Sequence, residues 1–164
     1  MIVGEGAHSM SNFRPVFRAS STHVIDEKGR IILPVRFRKV IEHFGDNEVM
    51  VSRLDGALVV YTNPAWDEIE ARIRASAETS EDMRRFKRYF IGGAASVPLD
   101  KQGRILIPPD LRNHAKLEKE ITVAGVIDHF EIWNKNIWDK EDREMQEVHM
   151  KKEEVKNEIA KLGL

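Results

Sequence analysis

The sequence predicts an α+β fold built from two tandem pseudo-repeats with peripheral helices. Three observations lead to this prediction. The pentapeptide DEKGR at residues 26–30 recurs as DKQGR at residues 100–104. Short segments rich in β-branched and aromatic residues surround each copy, as is typical of strands. Amphipathic helical patterns then follow each group of strands. With 164 residues, the chain is long enough to bury a sizeable core.

Two alignments define the repeat. At an offset of 74, residues 26–38 and 100–112 share six identical residues in thirteen. At an offset of 72, residues 48–67 align with residues 120–139, which places Trp66 over Trp138. Self-similarity at a fixed spacing indicates a repeated structural unit. We therefore expect the same order of elements twice.

Each pentapeptide predicts a turn between two short strands. In the first copy, residues 22–26 and 30–33 are expected to form a hairpin. Asp26 suits the first turn position because its carboxylate can accept backbone N–H bonds, and Gly29 suits the left-handed position. Asp100 and Gly103 occupy the matching positions of the second copy.

A proline follows each predicted hairpin and marks the end of its second strand. Because proline is favoured in the first turn of a helix, short helices are expected at residues 35–44 and 111–117. A second strand pair follows in each repeat. The predicted pairs are residues 48–52 with 57–61, and residues 121–124 with 130–133.

Helices are predicted to close both repeats. Asn63 and Pro64 indicate the start of one helix, and Ser80 the start of a second, whose apolar stripe (Met83, Phe86 and Phe90) is expected to face the core. One helix over residues 137–162 is expected to close the second repeat. The predicted division is a disordered leader at 1–12, a first repeat at 13–79, a linking helix and loop at 80–95, a second repeat at 96–139, and a C-terminal helix at 140–164.

The net charge of −1 hides a strongly uneven distribution. Residues 13–40 carry seven basic and two acidic side chains, and residues 84–112 also carry seven and two, so each segment has a charge of +5. Residues 42–82 carry three basic and ten acidic side chains, or −7. Both pentapeptides lie in basic segments, and a local basic patch is the feature that attracts an anionic partner such as DNA.

The composition argues against several other classes of protein. Cysteine is absent, which excludes disulfides and thiolate zinc sites. The six histidines lack metal-site spacing, and the common nucleotide-binding and nucleophile motifs are missing, so neither a cofactor nor an enzyme is predicted. No segment has the roughly 18 apolar residues of a membrane span, and the N-terminus does not resemble a signal peptide. We therefore expect a cytoplasmic protein without a membrane partner.

The repeated arginines are the best candidates for DNA recognition. An arginine that projects from a turn and is oriented by a carboxylate can donate two hydrogen bonds to a guanine edge, while nearby cations contact phosphates. The structural alternative is a surface Asp–Arg ion pair. The candidate DNA-binding residues are Arg30, Arg104, Lys28, Lys101, Arg36, Arg38 and Arg112. The residues expected to shape the turns and orient the arginines are Asp26, Gly29, Asp100 and Gly103.

The segments FRASSTHVIDEKGRIILPVRFR (17–38) and VPLDKQGRILIPPDLR (97–112) resemble the MraZ family of the AbrB/MazE/MraZ superfamily. The resemblance implies a double-split β-barrel formed by the two repeats. It also implies a nucleoid-associated transcriptional regulator that binds G-containing direct repeats in double-stranded DNA upstream of the bacterial division and cell-wall gene cluster, its own gene included. A homo-oligomeric, octamer-like ring is implied as well. In this family pattern Arg30 and Arg104 contact DNA, and Asp26 and Asp100 orient them.

Three different functions remain open from the sequence. The first is an antitoxin-like module, which would use the same fold for DNA and a disordered acidic tail for a protein partner. Residues 139–161 contain eight acidic and six basic side chains in a helical pattern, which disfavours that function. The second is a purely structural ring with vestigial DNA binding, and the third is an enzyme built on an unrecognised site.

Overall fold

The computed structural model describes residues 13–76 and 80–164, and within them the fold is α+β as predicted. The predicted leader at residues 1–12 lies outside the described residues. The strands are β1 (Ser20–Val24), β2 (Arg30–Ile32), β3 (Glu48–Leu54), β4 (Ala57–Thr62), β5 (Ala95–Pro98), β6 (Arg104–Leu106), β7 (Glu120–Gly125) and β8 (Phe130–Asn134). The α-helices are α1 (Val35–His43), α2 (Asn63–Ala75), α3 (Glu81–Phe90), α4 (Pro109–His114), α5 (Lys135–Glu147) and α6 (Glu153–Ala160).

The strands form two antiparallel sheets in which the repeats are interlocked. The larger sheet has the order β1-β7-β8-β4-β3-β5, and β2 pairs with β6 in the smaller one. The first strand of each repeat therefore lies against the other repeat: β1 pairs with β7, and β5 pairs with β3. This order is symmetric about the β4–β8 pair, so a pseudo-two-fold axis relates the repeats. The two repeats share one body instead of forming separate lobes.

The predicted hairpin between residues 22–26 and 30–33 is wrong in its pairing, although its turn forms. The N–H of Asp26 donates to the carbonyl of Arg30 at 3.0 Å, and the N–H of Gly29 donates to the carbonyl of Asp26 at 2.9 Å. Beyond the turn the strands diverge, because β1 continues into a five-residue ladder with β7 while β2 pairs with β6. Each strand thus gains a ladder of backbone hydrogen bonds with a strand of the other repeat, and Ile31 is completely buried.

The remaining strand and helix predictions hold with small shifts. The pairs β3–β4 and β7–β8 form where they were expected. Helix α4 begins at Pro109, two residues before the predicted start. The N-cap of α2 is Thr62, whose hydroxyl accepts from the N–H of Ala65 at 3.4 Å, so Asn63 is already helical. Ser80 caps α3 as predicted, accepting from the N–H of Met83 at 3.1 Å.

The predicted continuous helix over residues 137–162 is wrong. Helix α5 ends at Glu147, a 3-10 turn follows at His149–Lys151, and α6 begins after Lys152, whose ψ of 134° is extended. The apolar residues Met145 and Val148 are exposed at this break. A helix whose apolar stripe has no packing surface gains little from remaining straight, because packing supplies most helical stability.

Two apolar clusters hold the fold together. The larger one contains the side chains of β2, β6, α1 and α4 that face the larger sheet, including Ile31, Ile105 and Phe37. The smaller one joins β4, α2 and α3, where Trp66 stacks on Phe90 at a centroid distance of 5.3 Å. The α3 stripe is therefore core at Phe90, and partly at Phe86, whereas Met83 is exposed. None of the helices within residues 13–76 and 80–164 is long and apolar enough to cross a membrane.

Candidate nucleic-acid interface

The β2–β6 ribbon carries both signature arginines on one face. Ile31 lies opposite Ile105, its equivalent in the second repeat, so the pseudo-two-fold axis passes between them. Both isoleucines are fully buried. Arg30 lies opposite Leu106, and Ile32 lies opposite Arg104. Because side chains alternate along a strand, these four residues share the outward face of the ribbon. The two arginines thus belong to one continuous surface.

The spacing of these arginines suits a single DNA groove. They occupy diagonal positions across an antiparallel pair, where Cα atoms are separated by roughly 7–8 Å. The major groove of B-DNA is about 12 Å wide and admits a two-stranded ribbon. Both arginines can therefore enter the same groove together.

An aspartate organises each turn and fixes its arginine. Asp26 Oδ1 accepts from the N–H groups of Lys28 at 3.0 Å and Arg30 at 2.9 Å, while Oδ2 accepts from Arg30 Nε at 2.6 Å. Asp100 Oδ1 accepts from the N–H groups of Gln102 and Arg104, both at 2.9 Å, and Oδ2 accepts from Arg104 Nε at 2.7 Å. Since the carboxylates bind Nε, the Nη groups of the arginines remain as donors for a ligand.

Both aspartates stay ionised at neutral pH. The backbone hydrogen bond from Arg30, followed by its side-chain hydrogen bond and charge, lowers the pKa of Asp26. Arg104 lowers the pKa of Asp100 in the same order of causes. The side chains of Arg30 and Arg104 are 32% and 24% exposed, respectively. Each turn therefore presents a partly exposed guanidinium, held by a permanent negative charge.

The two predicted lysines are exposed but occupy different turn positions. Lys28 is the third residue of the first pentapeptide, where the second has Gln102. Lys101 is the second residue of its pentapeptide, where the first has Glu27. Each turn therefore carries one exposed lysine near its arginine, but the lysine occupies a different position in the two turns.

Arg36 lies at the start of α1 and contacts the N-terminal segment. Its Nε donates to the carbonyl of Arg18 at 3.3 Å, and its Nη2 lies 3.4 Å from Ser21 Oγ. A cavity of about 380 Å³ lies beside it; its lining residues are Phe13, Arg14, Val16, Arg18, Arg36, Phe37 and Val40. The sequence-based site did not include Arg14 and Arg18. The basic character of residues 13–40 was the signal that could have identified them.

Arg38 and Arg112 take a position that the sequence did not suggest. Each side chain packs against the turn glycine of the other repeat: Arg112 on Gly29, and Arg38 on Gly103. The Nε atoms of Arg38 and Arg112 are buried without a hydrogen-bond partner in the described residues. Arg38 and Arg112 thus contact the turns through partly buried side chains, whereas Arg30 and Arg104 lie on the outward face of the β2–β6 ribbon.

Two further observations concern side chains that could take part in chemistry. The described residues contain no group of three His, Asp or Glu side chains placed to hold a metal. Burial, together with the charges of Asp128 and Glu131, raises the pKa of Tyr61 to about 12. This hydroxyl therefore stays protonated and is a poor nucleophile.

Comparison with known proteins identifies close relatives. Residues 16–89 and 90–157 each match the family model described as "MraZ protein, putative antitoxin-like". A protein of Desulforapulum autotrophicum named "Transcriptional regulator MraZ" is 54% identical over 149 residues, which cover 91% of this chain and 100% of the relative. A relative of the same name from Desulfosudis oleivorans is 46% identical with the same coverage. Another, from Thermoanaerobacter sp., is 45% identical over 72% of this chain and 80% of its own length.

The two family matches divide the chain near the end of α3, so that each contains one pentapeptide. The interlocked, pseudo-symmetric arrangement of strands agrees with two tandem copies of one domain type. On the family matches and the identity of these relatives, the chain belongs to the MraZ family.

Proposed function

We propose that this chain is a sequence-specific, double-stranded-DNA-binding transcriptional regulator. Its targets are G-containing direct repeats upstream of its own gene, in the bacterial division and cell-wall gene cluster. One observation carries the proposal: Arg30 and Arg104 share one outward ribbon face, and an ionised aspartate fixes each of them. The name "Transcriptional regulator" borne by the relatives supports it.

The ribbon recognises DNA by entering the major groove. Each arginine donates two hydrogen bonds to O6 and N7 of a guanine, a contact worth about 1–3 kcal/mol of discrimination. Ile32 and Leu106, which are 55% and 53% exposed beside the arginines, are suited to contact thymine methyl groups. Lys28 and Lys101 bind phosphates and set the register of the protein on the duplex.

The proposal includes the shape of the subunit and its assembly. The two sheets together form the double-split barrel of the superfamily, and subunits join into an octamer-like ring that acts on DNA at the nucleoid, in the cytoplasm. A ring repeats the ribbon around its rim and so favours repeated boxes spaced near one helical turn, about 10 base pairs. Light scattering coupled to size exclusion should give about 150 kDa for eight subunits of 18.9 kDa. A monomer at micromolar concentration would contradict the ring.

The antitoxin-like function receives less support. Such a module needs a tail that folds on its partner, whereas the C-terminal segment here already forms α5 and α6. The geometry of the two turns supports DNA binding and does not call for a protein partner. A regulator that acts through DNA alone is therefore the preferred function.

Fluorescence anisotropy on DNA from upstream of the protein's own gene tests the proposal. The wild type should bind this fragment more tightly than a scrambled one, and its affinity should fall as salt rises because phosphate binding releases counterions. The double variant Arg30→Ala/Arg104→Ala should lose the preference for the native fragment while keeping its melting temperature, because a partly exposed Asp–Arg pair contributes under about 1 kcal/mol.

Arg143→Ala, which removes an exposed arginine from α5, is the matched control and should bind like the wild type. If the double variant still selects the native fragment with unchanged affinity, the ribbon is not the DNA-reading surface. If it unfolds or dissociates, the arginines are structural.

A further inference from the structure

Arg38 and Arg112 lie in contact with the turns of the opposite repeat. A Cβ atom placed on Gly29 would lie 2.7 Å from both Cζ and Nε of Arg112. A Cβ atom placed on Gly103 would lie 2.6 Å from Nη1 and 2.8 Å from Nε of Arg38. The guanidinium group of each arginine therefore occupies the space that any larger turn residue would fill.

The backbone makes the same crossed connection. The N–H of Ile107 donates to the carbonyl of Gly29 at 2.9 Å, and the N–H of Leu33 donates to the carbonyl of Gly103 at 3.0 Å. Each turn glycine is thus held by a side chain and by a backbone bond, both from the other repeat. The residue that follows each glycine is the signature arginine, so the same contacts fix the start of its side chain.

The buried Nε atoms of Arg38 and Arg112 show that the same packing occurs in both repeats. A buried donor without a partner is unfavourable and rare. Here it occurs at both equivalent positions, on α1 and on α4. Arg38 and Arg112 also follow the strand-ending prolines at the same distance, since Pro34 and Pro108 each precede them by four residues. The repeated geometry shows that the contact belongs to the architecture of the repeat.

We propose that Arg38 and Arg112 are positioning residues that connect the two halves of the DNA-reading surface crosswise. Arg112 fixes the first turn and thereby aims Arg30, while Arg38 fixes the second turn and thereby aims Arg104. This inference rests on the proposed DNA-binding function and deepens it. Each repeat therefore depends on the other to present its own base-reading arginine, and the two crossed connections act independently of each other.

Double-mutant cycles provide the central test, because residues that act as a unit give non-additive losses. Arg112→Met and Arg38→Met remove the guanidinium but keep an unbranched side chain. Arg112→Met combined with Arg30→Ala should bind native DNA no more than about twofold more weakly than the worse single variant. Combined with Arg104→Ala, the fold-losses should multiply. Arg38→Met should give the reverse pattern.

Three results of these cycles would contradict the proposal, and two of them concern the crossed assignment itself. One is coupling within a repeat, of Arg112 with Arg104 and of Arg38 with Arg30. The other is equal coupling of each variant with both reading arginines, because a general loss of stability would not distinguish the turns. Full additivity in every combination would also contradict the proposal.

The salt dependence separates positioning from the phosphate contact that the sequence suggested for these residues. Losing a phosphate contact lowers the slope of log affinity against log salt by about 0.9. Arg112→Met and Arg38→Met should reduce affinity for native DNA while leaving that slope unchanged. Lys28→Ala is the comparison, because it should lower the slope on native and scrambled DNA alike. A slope lowered by about 0.9 in Arg112→Met would show a direct phosphate contact instead.

Hydrogen exchange without DNA tests the crossed contact independently of function. Arg112→Met should accelerate exchange in peptides covering residues 26–32 more than in those covering residues 100–106, and Arg38→Met should do the opposite. Each variant is its own control, because a global loss of stability would affect both segments. Equal acceleration, or acceleration within the same repeat, would overturn the proposal. A different outcome would separate the contact from its function. If the variants show the crossed exchange pattern but the wild-type protein does not bind DNA selectively, the aiming role and the proposed function are both refuted, while the crossed contact is confirmed.

Discussion

The two motif turns, residues 26–30 and residues 100–104, have the same geometry but different charges. In both turns an aspartate accepts two backbone N–H groups and one arginine Nε, with corresponding distances within 0.1 Å of each other. The residues between differ: Glu27 and Lys28 in the first turn stand where the second has Lys101 and Gln102. The pentapeptide DEKGR is formally neutral, whereas DKQGR carries a charge of +1.

This comparison separates two kinds of requirement. The aspartate, glycine and arginine are the same in both turns because their hydrogen bonds and backbone conformation determine the turn. The two middle side chains are exposed and take no part in the side-chain bonds that close it, so their charges can differ. We therefore expect base recognition to be equivalent in the two turns and phosphate attraction to be stronger at the second.

Single substitutions of the reading arginines test the equivalence with the largest expected effect. Arg30→Ala and Arg104→Ala should each weaken binding to native DNA by about 1–3 kcal/mol, the value of one bidentate guanine contact. In a ring, avidity should enlarge both losses equally, provided that several subunits engage the same DNA. Anisotropy titrations on the native fragment provide the measurement. A loss confined to one variant would show that only one turn reads bases.

Turn glycines offer a test through stability. Gly29 has a φ of 91° and contacts Arg112, whereas Gly56 has a φ of 80° with nothing within 4 Å of an added Cβ. Both Gly→Ala variants should lose about 1–2 kcal/mol for the left-handed conformation. Gly29→Ala should lose more, because the added methyl group must also displace the guanidinium group of Arg112. Urea unfolding measures the difference, and equal losses would mean that Arg112 can move away at little cost.

Exchanging the charge of the first turn should give a smaller effect. Glu27→Lys makes this turn resemble the second, and its new cation should strengthen binding to native and scrambled DNA alike. If the lysine reaches a phosphate, the slope of log affinity against log salt should increase by about 0.9. Glu141→Lys, at an exposed position of α5, makes the same charge change away from the turns. An equal gain in that control would indicate a general effect of net charge.

The smallest effect is expected from pH. Because the folded-state pKa of Asp26 and of Asp100 is lowered from 3.8, ionisation of these carboxylates stabilises the turns above that pH. The contribution disappears only as the pH falls through the lower folded-state values. The ratio of the wild-type affinity to that of Asp26→Asn/Asp100→Asn should therefore stay constant between pH 5 and pH 8. A ratio that falls towards pH 5, or carboxyl NMR signals that titrate above pH 5, would contradict this assignment.

The sequence by itself determined the local chemistry of this protein. The repeated pentapeptides, the turn roles of Asp26 and Gly29, the pairs β3–β4 and β7–β8, and the cap at Ser80 all depend on residues close together in the chain. Such features follow from the conformational preference and hydrogen-bonding capacity of a few neighbouring side chains. The orientation of Arg30 by an aspartate four residues away is of the same local kind.

Only the tertiary structure decided which strands pair and which arginines face outward. The pairs β1–β7 and β2–β6 connect residues about 100 and about 75 positions apart, and nothing in the local pattern distinguishes them from a hairpin. The β2–β6 pairing buries Ile31 and Ile105 together across the pseudo-two-fold axis, a long-range contact that a local sequence pattern does not specify. The same crossing places Arg38 and Arg112 against the turns of the opposite repeats. Counting charges along the sequence cannot distinguish these two arginines from Arg30 and Arg104, because all four are arginines in the same basic segments and only the fold gives them different surroundings.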